Sequence, residues 1–444
     1  MSERRPAEER YAWYVVGVLT LANVSGFVDR QLLSLLVPAI ERDLRITDTQ
    51  MSVLIGLSFT VFYTVLGIPL ARLADRTNRR TVLAAGVALW SIMTMLCGLA
   101  RSYSRLLLAR VGVGIGEATL NAPSVALIAD YFPPHRLGTA MSVYSLGIFL
   151  GSGLAYVVGG WVVGIMSSAP EWRWPLVGTI RPWQSAFFVA GAPGLLVALL
   201  MLTVRDPRAR AAREVARAAR LRDLATFLRR HARTFIAHNL GFAVSATVNF
   251  AIAAWLATFF VRTYGWTPRR AGIVQGVLTM TIGVAAVVIG GRVTDRFVKR
   301  GRVDGPLRVG IIGAAGMLLC ASAYPLMPTS ALAVAALAAV NFFAAFPWGA
   351  ASAAIAEIVP ASLRAQGAAL FFLVLNLVSG IFGPSSVAVV TDYVFRNPNA
   401  VRYSLVVVNA IGMTLAIVLL ASGLRHYAAT VSAATGAEAQ RTAA

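Results

Sequence analysis

Twelve apolar runs, each about 20 residues or longer, limit what this chain can fold into. They read near 13–37, 51–72, 81–100, 105–130, 137–164 and 183–204, then near 236–261, 271–293, 307–326, 330–358, 364–391 and 402–424. A helix needs about 20 apolar residues to cross a bilayer. The expected fold is therefore an all-α membrane protein of twelve transmembrane helices, with both termini on one side. Composition agrees: the 444 residues are 57% hydrophobic and 13% charged, against about 25% charged in soluble domains. The first run is too long for the apolar core of a signal peptide, so it is expected to be retained as a span.

The net charge of +21 could signal nucleic acid, but its distribution sets that aside. Arginines gather in the short loops, the positive-inside pattern of a membrane protein. Arg205 to Arg233 holds ten of them, the 72–80 loop holds Arg72, Arg76, Arg79 and Arg80, and the 292–308 loop adds Arg292, Arg296, Arg300, Arg302 and Arg308 to Lys299, the only lysine. These loops lie on the side of the N terminus, which is expected to be cytoplasmic. The location implied is a bacterial inner membrane. Cys97 and Cys320 both fall in apolar runs, so no disulfide framework is expected.

The basic stretch 205–235 divides the chain into expected bundles at 1–204 and 236–444, the second ending in a short tail. Val215, Leu221, Leu224 and Leu228 nearly share a helical face in it. A helix lying on anionic lipid and a solvated tether both fit. The two halves repeat. ARLADRTNRR (Ala71 to Arg80) returns as GRVTDRFVKR (Gly291 to Arg300), placing Asp75-Arg76 and Asp295-Arg296 220 residues apart in equivalent loops. A weaker echo links Asp130-Tyr-Phe-Pro133 with Glu357-Ile-Val-Pro360. Such repeats mark two-bundle transporters.

The fourth run is the most informative. Arg110, Gly114, Glu117, Asn121 and Ser124 recur at three- and four-residue intervals, so a continuous helix puts them on one face. Arg110 and Glu117 then stand about 10 Å apart along it. Charges at membrane depth cost roughly 2.5–3.5 kcal/mol each and usually face a cavity or a partner. A structural ion pair is the plainer alternative to a working site. Gly112 and Gly116 form a GxxxG on another face, open to close helix packing.

These residues resemble the major facilitator superfamily over essentially the whole chain. Its loop signature G-x-L-A-D-R-x-G-R-R matches Ala71 to Arg80, with Ala71 and Asn78 in place of glycines. The resemblance implies a cytoplasmic gate drawn from Asp75, Arg76, Arg80, Asp130, Asp295 and Arg296. In it Asp75 caps a helix of the opposite half, and the arginines beside it pair with Asp130. More narrowly, FVDRQ (Phe27 to Gln31), RVGVGIGEA (Arg110 to Ala118) and GIFLGSGLAYVVGG (Gly147 to Gly160) are similar to the spinster branch. That branch handles lysophospholipids and sphingoid phosphates. It places a membrane-embedded arginine and acid at Arg110 and Glu117, and an aspartate at Asp29. The superfamily commonly acts as monomers, which sets that expectation here.

Asp29 and Glu117 are the carboxylates set well inside the apolar runs, beside Arg30 and Arg110. Carboxylates can exchange protons, whereas arginine stays charged. Substrate anion and proton can therefore compete for one cluster, with Asn121 a further polar contact. Asp29 and Arg30 are adjacent on a helix, so one is expected to face the cavity and the other to brace the bundle. Sodium held by carboxylate and carbonyl oxygens is an alternative to the proton, and no other cofactor is expected. The second half offers Asn249, Asn341, Asn376, Ser379 and Asn409 among Phe342, Phe343, Phe346, Trp348, Phe371 and Phe372, most of which read as packing. One charged and one apolar wall would suit an amphipathic, lipid-like substrate. No HExxH, CxxC or GxxxxGK[ST] is present, so the chain is not expected to be an enzyme. The alternatives are a proton-coupled multidrug exporter, a small organic anion carrier and, from another class, an uncoupled lipid scramblase or a non-transporting receptor.

Overall fold

The computed structural model describes residues 6–132, 134–168, 172–174, 178–207, 221–360 and 363–442. Among these, twelve helices are long and apolar enough to cross a membrane. They are Glu9–Leu35, Asp48–Arg76, Arg79–Cys97, Tyr103–Tyr131, Leu150–Ser167, Pro182–Met201, Ala232–Tyr264, Pro268–Lys299, Gly305–Leu326, Ser330–Ile355, Gln366–Phe395 and Pro398–Ala433, called spans one to twelve below. All twelve fall on the expected apolar runs.

By packing, the chain forms two compact units. The first is Met1–Glu214 with Leu256–Met280, and the second is Val215–Trp255 with Thr281–Ala444. The far end of span seven and the start of span eight thus pack with the first six spans rather than with their own half. Small residues explain that membership. A side chain at Gly272 would sit 2.7 Å from the carbonyl of Tyr156, and one at Gly276 would meet the carbonyl of Gly153 and lie 2.6 Å from Val157 Cγ2. Span eight therefore lies directly on the glycine-rich face GSGLAYVVGG of the fifth helix, as small residues permit in membranes. Gly276→Ala is expected to cost about 1–3 kcal/mol by overpacking, read as a lower melting temperature in detergent. Gly17→Ala, with open space at its Cβ, should change stability by less than about 1 kcal/mol.

The core of the first unit packs Val15, Leu19 and Ala22 of span one with Leu83, Val87 and Trp90 of span three and Val113 and Leu127 of span four. In the second unit Phe242, Leu307, Ile355, Ile358, Phe371, Leu420 and Tyr427 form one cluster. Leu224 joins it, with Phe227 and Leu228 against it. Part of the basic linker is thus a helix, Leu221–Arg230, whose apolar side rests on protein; Val215 lies outside the described residues. Two further elements were not read from sequence. A hairpin pairs Trp172–Trp174 with Gly178–Ile180, and Gly178 at the start of its second strand takes φ +76°. The last helix runs Val401–Thr442, well past the expected end near 424.

Candidate substrate and coupling site

Span four is not one continuous helix. It is built as Tyr103–Glu117 and Asn121–Tyr131, with Thr119 and Leu120 closing tight turns onto Gly116 and Glu117. Pro123 accounts for the break, since it has no N–H to donate and crowds the carbonyl four residues before it. The single face read through Arg110, Glu117 and Asn121 is therefore interrupted after Glu117. Above the break, the GxxxG does what small residues allow: a side chain at Gly116 would sit 2.6 Å from Trp90 N, and one at Gly112 2.6 Å from Met93 Sδ.

The break leaves Glu117 buried at a helix end, and its partner is Arg30 of span one, not Arg110. Arg30 Nε donates to Glu117 Oε2 at 2.8 Å, and Nη2 reaches the same oxygen. Glu117 Oε1 is buried with no partner. Gly26 makes room for this carboxylate, because a Cβ there would stand 3.2 Å from Oε2. Arg30 is 32% exposed, and its guanidinium lies 4.5 Å from the Phe59 ring centroid, 5.2 Å from Tyr63 and 5.4 Å from Phe27. Aromatic faces stabilise a cation at such distances.

Arg110 is buried and lies within ion-pair distance of no carboxylate among the described residues. Its Nε donates to the Leu54 carbonyl at 3.3 Å. Leu54 belongs to a π-helical turn, Val53–Leu57, an irregularity that frequently marks functional positions. Asp29 is 1% exposed; Thr94 Oγ1 donates to its Oδ2 at 3.0 Å, and its Oδ1 is orphaned. Of the adjacent pair in span one, Arg30 thus takes the half-open position and Asp29 the buried one. Asn121 is exposed and bonds the Tyr63 hydroxyl.

In the 72–80 loop the structure assigns the ion pairs to Arg79, a residue left out of the expected gate set. Arg79 is 2% exposed and donates Nη1 to Asp130 Oδ2 and Nη2 to Asp75 Oδ1, both at 2.7 Å. Its backbone N–H donates to Asp206 Oδ2 at 2.9 Å. Arg76 is exposed, and Arg80 reaches only the Leu202 carbonyl, at 3.4 Å. Helical spacing does not single out Arg79, because Asp75 lies in the last turn of span two and Arg79 opens span three, with Thr77 and Asn78 between the two helices. The second half does not copy the arrangement. Asp295, Arg296 and Lys299 are exposed, and Glu357 accepts from the Tyr427 hydroxyl at 3.0 Å; partial burial there pushes the Glu357 carboxyl above its usual range.

The polar groups of the second half mostly satisfy their own helices. Asn249, Asn341, Asn376 and Ser379 bond carbonyls one turn back, while Asn409 crosses to Ala321 at 2.6 Å. Phe346 and Phe371 are buried in the core, but Trp348 and Phe372 are exposed.

Twelve membrane helices, repeated halves and paired charges inside the spans define a multi-pass membrane carrier, not an enzyme. The chain belongs to the Major Facilitator Superfamily, whose family model matches residues 19–384, and within it is a transporter of the spinster type. It is 31% identical over 388 residues to an MFS-type efflux pump of Mycolicibacterium smegmatis, covering 86% of this chain and 85% of that one. It is 27% identical to protein spinster of Drosophila melanogaster over 73% of this chain, but spans only 51% of that longer protein. Among solved structures it is similar, with a TM-score of 0.77 and 25% identity over 97% of this chain and 98% of the other, to a bacterial homolog of the human lysosomal transporter Spinster.

Proposed function

We propose that this protein is a proton-coupled carrier of an anionic amphiphile, of lysophospholipid or sphingoid-phosphate type, working by alternating access. The observation that carries the reading is Arg110, a buried guanidinium bonded to a backbone carbonyl while Glu117 is held by Arg30. A buried cation left so is costly, and an anionic headgroup would relieve it. Protonating Glu117 weakens its bond to Arg30, so that two arginines can take one anion; deprotonation restores the competition and expels it. The aromatic rings around Arg30 supply an apolar border suited to a hydrocarbon tail. Coupling by a proton is favoured over sodium because the Glu117 carboxylate already shares its Oε2 with the Arg30 guanidinium, whose positive charge opposes a second cation beside it. The arginine-rich loops support a bacterial inner-membrane protein with both termini in the cytoplasm, and the ion pairs of Arg79 with Asp75 and Asp130 support a gate on that side. The protein is taken to act as a monomer.

Proteoliposomes offered an acidic lysophospholipid, a hydrophilic organic acid and a cationic drug, with and without a pH gradient, test this. The lysophospholipid alone should move, faster with the gradient. Transport of only the acid or only the drug would overturn the lipid reading in favour of an anion carrier or, as the mycobacterial relative's name has it, an efflux pump. A rate indifferent to the gradient would indicate a scramblase. Arg110→Ala should weaken headgroup binding at every pH by about 1.5–3 kcal/mol, the range for a charged hydrogen bond, measurable by titration in detergent.

A further inference from the structure

A second charged cluster lies in the first unit, at the end opposite the N terminus, and the transport cycle above does not use it. Glu41 sits on the short helix Val37–Leu44. Asp48 opens the helix that begins span two, behind a Thr47–Gln50 capping box. Arg262 stands near the end of span seven and forks onto Asp48, Nη1 to Oδ2 at 2.9 Å and Nη2 to Oδ1 at 2.7 Å. Nη2 also reaches Glu41 Oε2 at 2.7 Å. The side chains of Glu41 and Arg262 are 11% and 12% exposed, and that of Asp48 is 3% exposed.

One guanidinium therefore faces two buried carboxyls. Were both acids ionised, one negative charge would be left uncompensated, a costly condition away from water. The two-pronged fork ties Arg262 more closely to Asp48 than to Glu41, which it reaches through Nη2 alone. Glu41 Oε1 is buried with no donor reaching it, and Glu41 Oε2 and Asp48 Oδ1 converge on one nitrogen, Arg262 Nη2, at 2.7 Å each. Two carboxyls crowded onto one cation in this way are relieved when one of them holds a proton. Burial first, and the Asp48 hydrogen bond second, push the Glu41 carboxyl up to about 9, against the pull of Arg262.

Neighbouring charges are engaged elsewhere. Asp43 takes Arg181 and the Trp183 indole N–H, and Arg42 and Arg45 are exposed. On span eight, Arg270 lies 4.0 Å from the Trp266 ring centroid and the Arg269 side chain packs against Gly164.

We propose that Glu41, Asp48 and Arg262 are a proton-dependent latch, which closes with one proton bound at Glu41 and opens when that proton leaves. Closed, it fastens the end of span seven to the chain between spans one and two. As a step in alternating access it rests on the transport reading above, and it adds a protonation site separate from Glu117. The sign follows from the two states. A solvated glutamate titrates near 4.3, and the closed one at about 9. Closure therefore takes up one proton between these values: the latch is fully strong below the solvated value, weakens about tenfold per pH unit above it, and loses its pH dependence as pH passes the closed value.

Hydrogen–deuterium exchange on the full-length protein in nanodiscs, without substrate or gradient and corrected for intrinsic rates, tests the latch over roughly pH 6 to 9. Peptides covering 37–47 and 256–267 should show an opening equilibrium that rises about tenfold per pH unit. Glu41→Gln should make it flat, as should Asp48→Asn, which leaves Arg262 a single acid to neutralise and serves if Glu41→Gln fails to fold. A wild-type slope of zero, or the same slope in a folded variant, overturns the proposal. The two readings fail separately: a wild-type slope without transport of any solute leaves the latch standing, and gradient-driven transport with a flat slope leaves only the transporter.

Discussion

Replacing Glu117 with glutamine should leave a folded protein that binds its substrate tightly at all pH values yet no longer accumulates it against a gradient. Glutamine copies the protonated acid in shape and keeps an oxygen for Arg30, but has no proton to give. In the cycle proposed above, the wild-type carboxylate competes with the substrate anion for Arg30 at alkaline pH. Losing that competition should tighten binding there by about 1.5–3 kcal/mol, roughly tenfold to a hundredfold. Binding at acidic pH should hardly change, because the proposed cycle has the wild-type acid carrying a proton there too. Exchange of labelled for unlabelled substrate should persist while gradient-driven uptake stops. Folding should survive because removing a buried carboxylate lifts a desolvation cost as it weakens one ion pair. Wild-type uptake by the variant under a proton gradient would remove Glu117 from the coupling step and make Asp29, with its orphaned Oδ1, the acid to test.

The second large effect is expected at Arg79, the buried hub of the 72–80 loop. Arg79→Gln leaves Asp75 and Asp130 without their shared cation and takes a guanidinium out of a site that is 2% exposed. Breaking a fully buried pair costs 3–5 kcal/mol, but Asp75 is 56% exposed and Asp130 26%, so water recovers part of that. A loss of about 2 kcal/mol is expected, read as a lower melting temperature in detergent. Arg76→Gln, on an exposed side chain, should stay within about 0.5 kcal/mol. Equal losses in the two variants would mean that the loop acts through total charge rather than through one anchored arginine.

How far the site was legible depended on whether local spacing or distant packing decided each contact. Asp29, Arg30, Arg110 and Glu117 stood out because ionisable groups inside apolar runs are rare and expensive. Their pairing did not. Arg110 and Glu117 share the unbroken helix Tyr103–Glu117, but seven residues set them about 10 Å apart along it, and Glu117 meets Arg30, 87 positions away. Arg79 was overlooked for a different reason. Four arginines crowd the 72–80 loop, and composition alone cannot rank them; burial chose Arg79. The 41/48/262 cluster gave no signal, since it joins residues 214 and 221 positions apart.

By itself the sequence determined the twelve spans, the repeat of the halves and the close helix approach at Gly112 and Gly116. Each rests on a property carried by neighbouring residues: the length of an apolar run, the recurrence of a loop, the absence of side chains on one helical face. The tertiary structure alone decided which charge meets which, that residues 256–280 pack with the first six spans, and that the linker helix rests on protein. These follow from contacts between segments far apart in the chain. In an apolar medium the competing arrangements differ by whether a buried polar group finds its partner, and that is fixed only once the helices are packed.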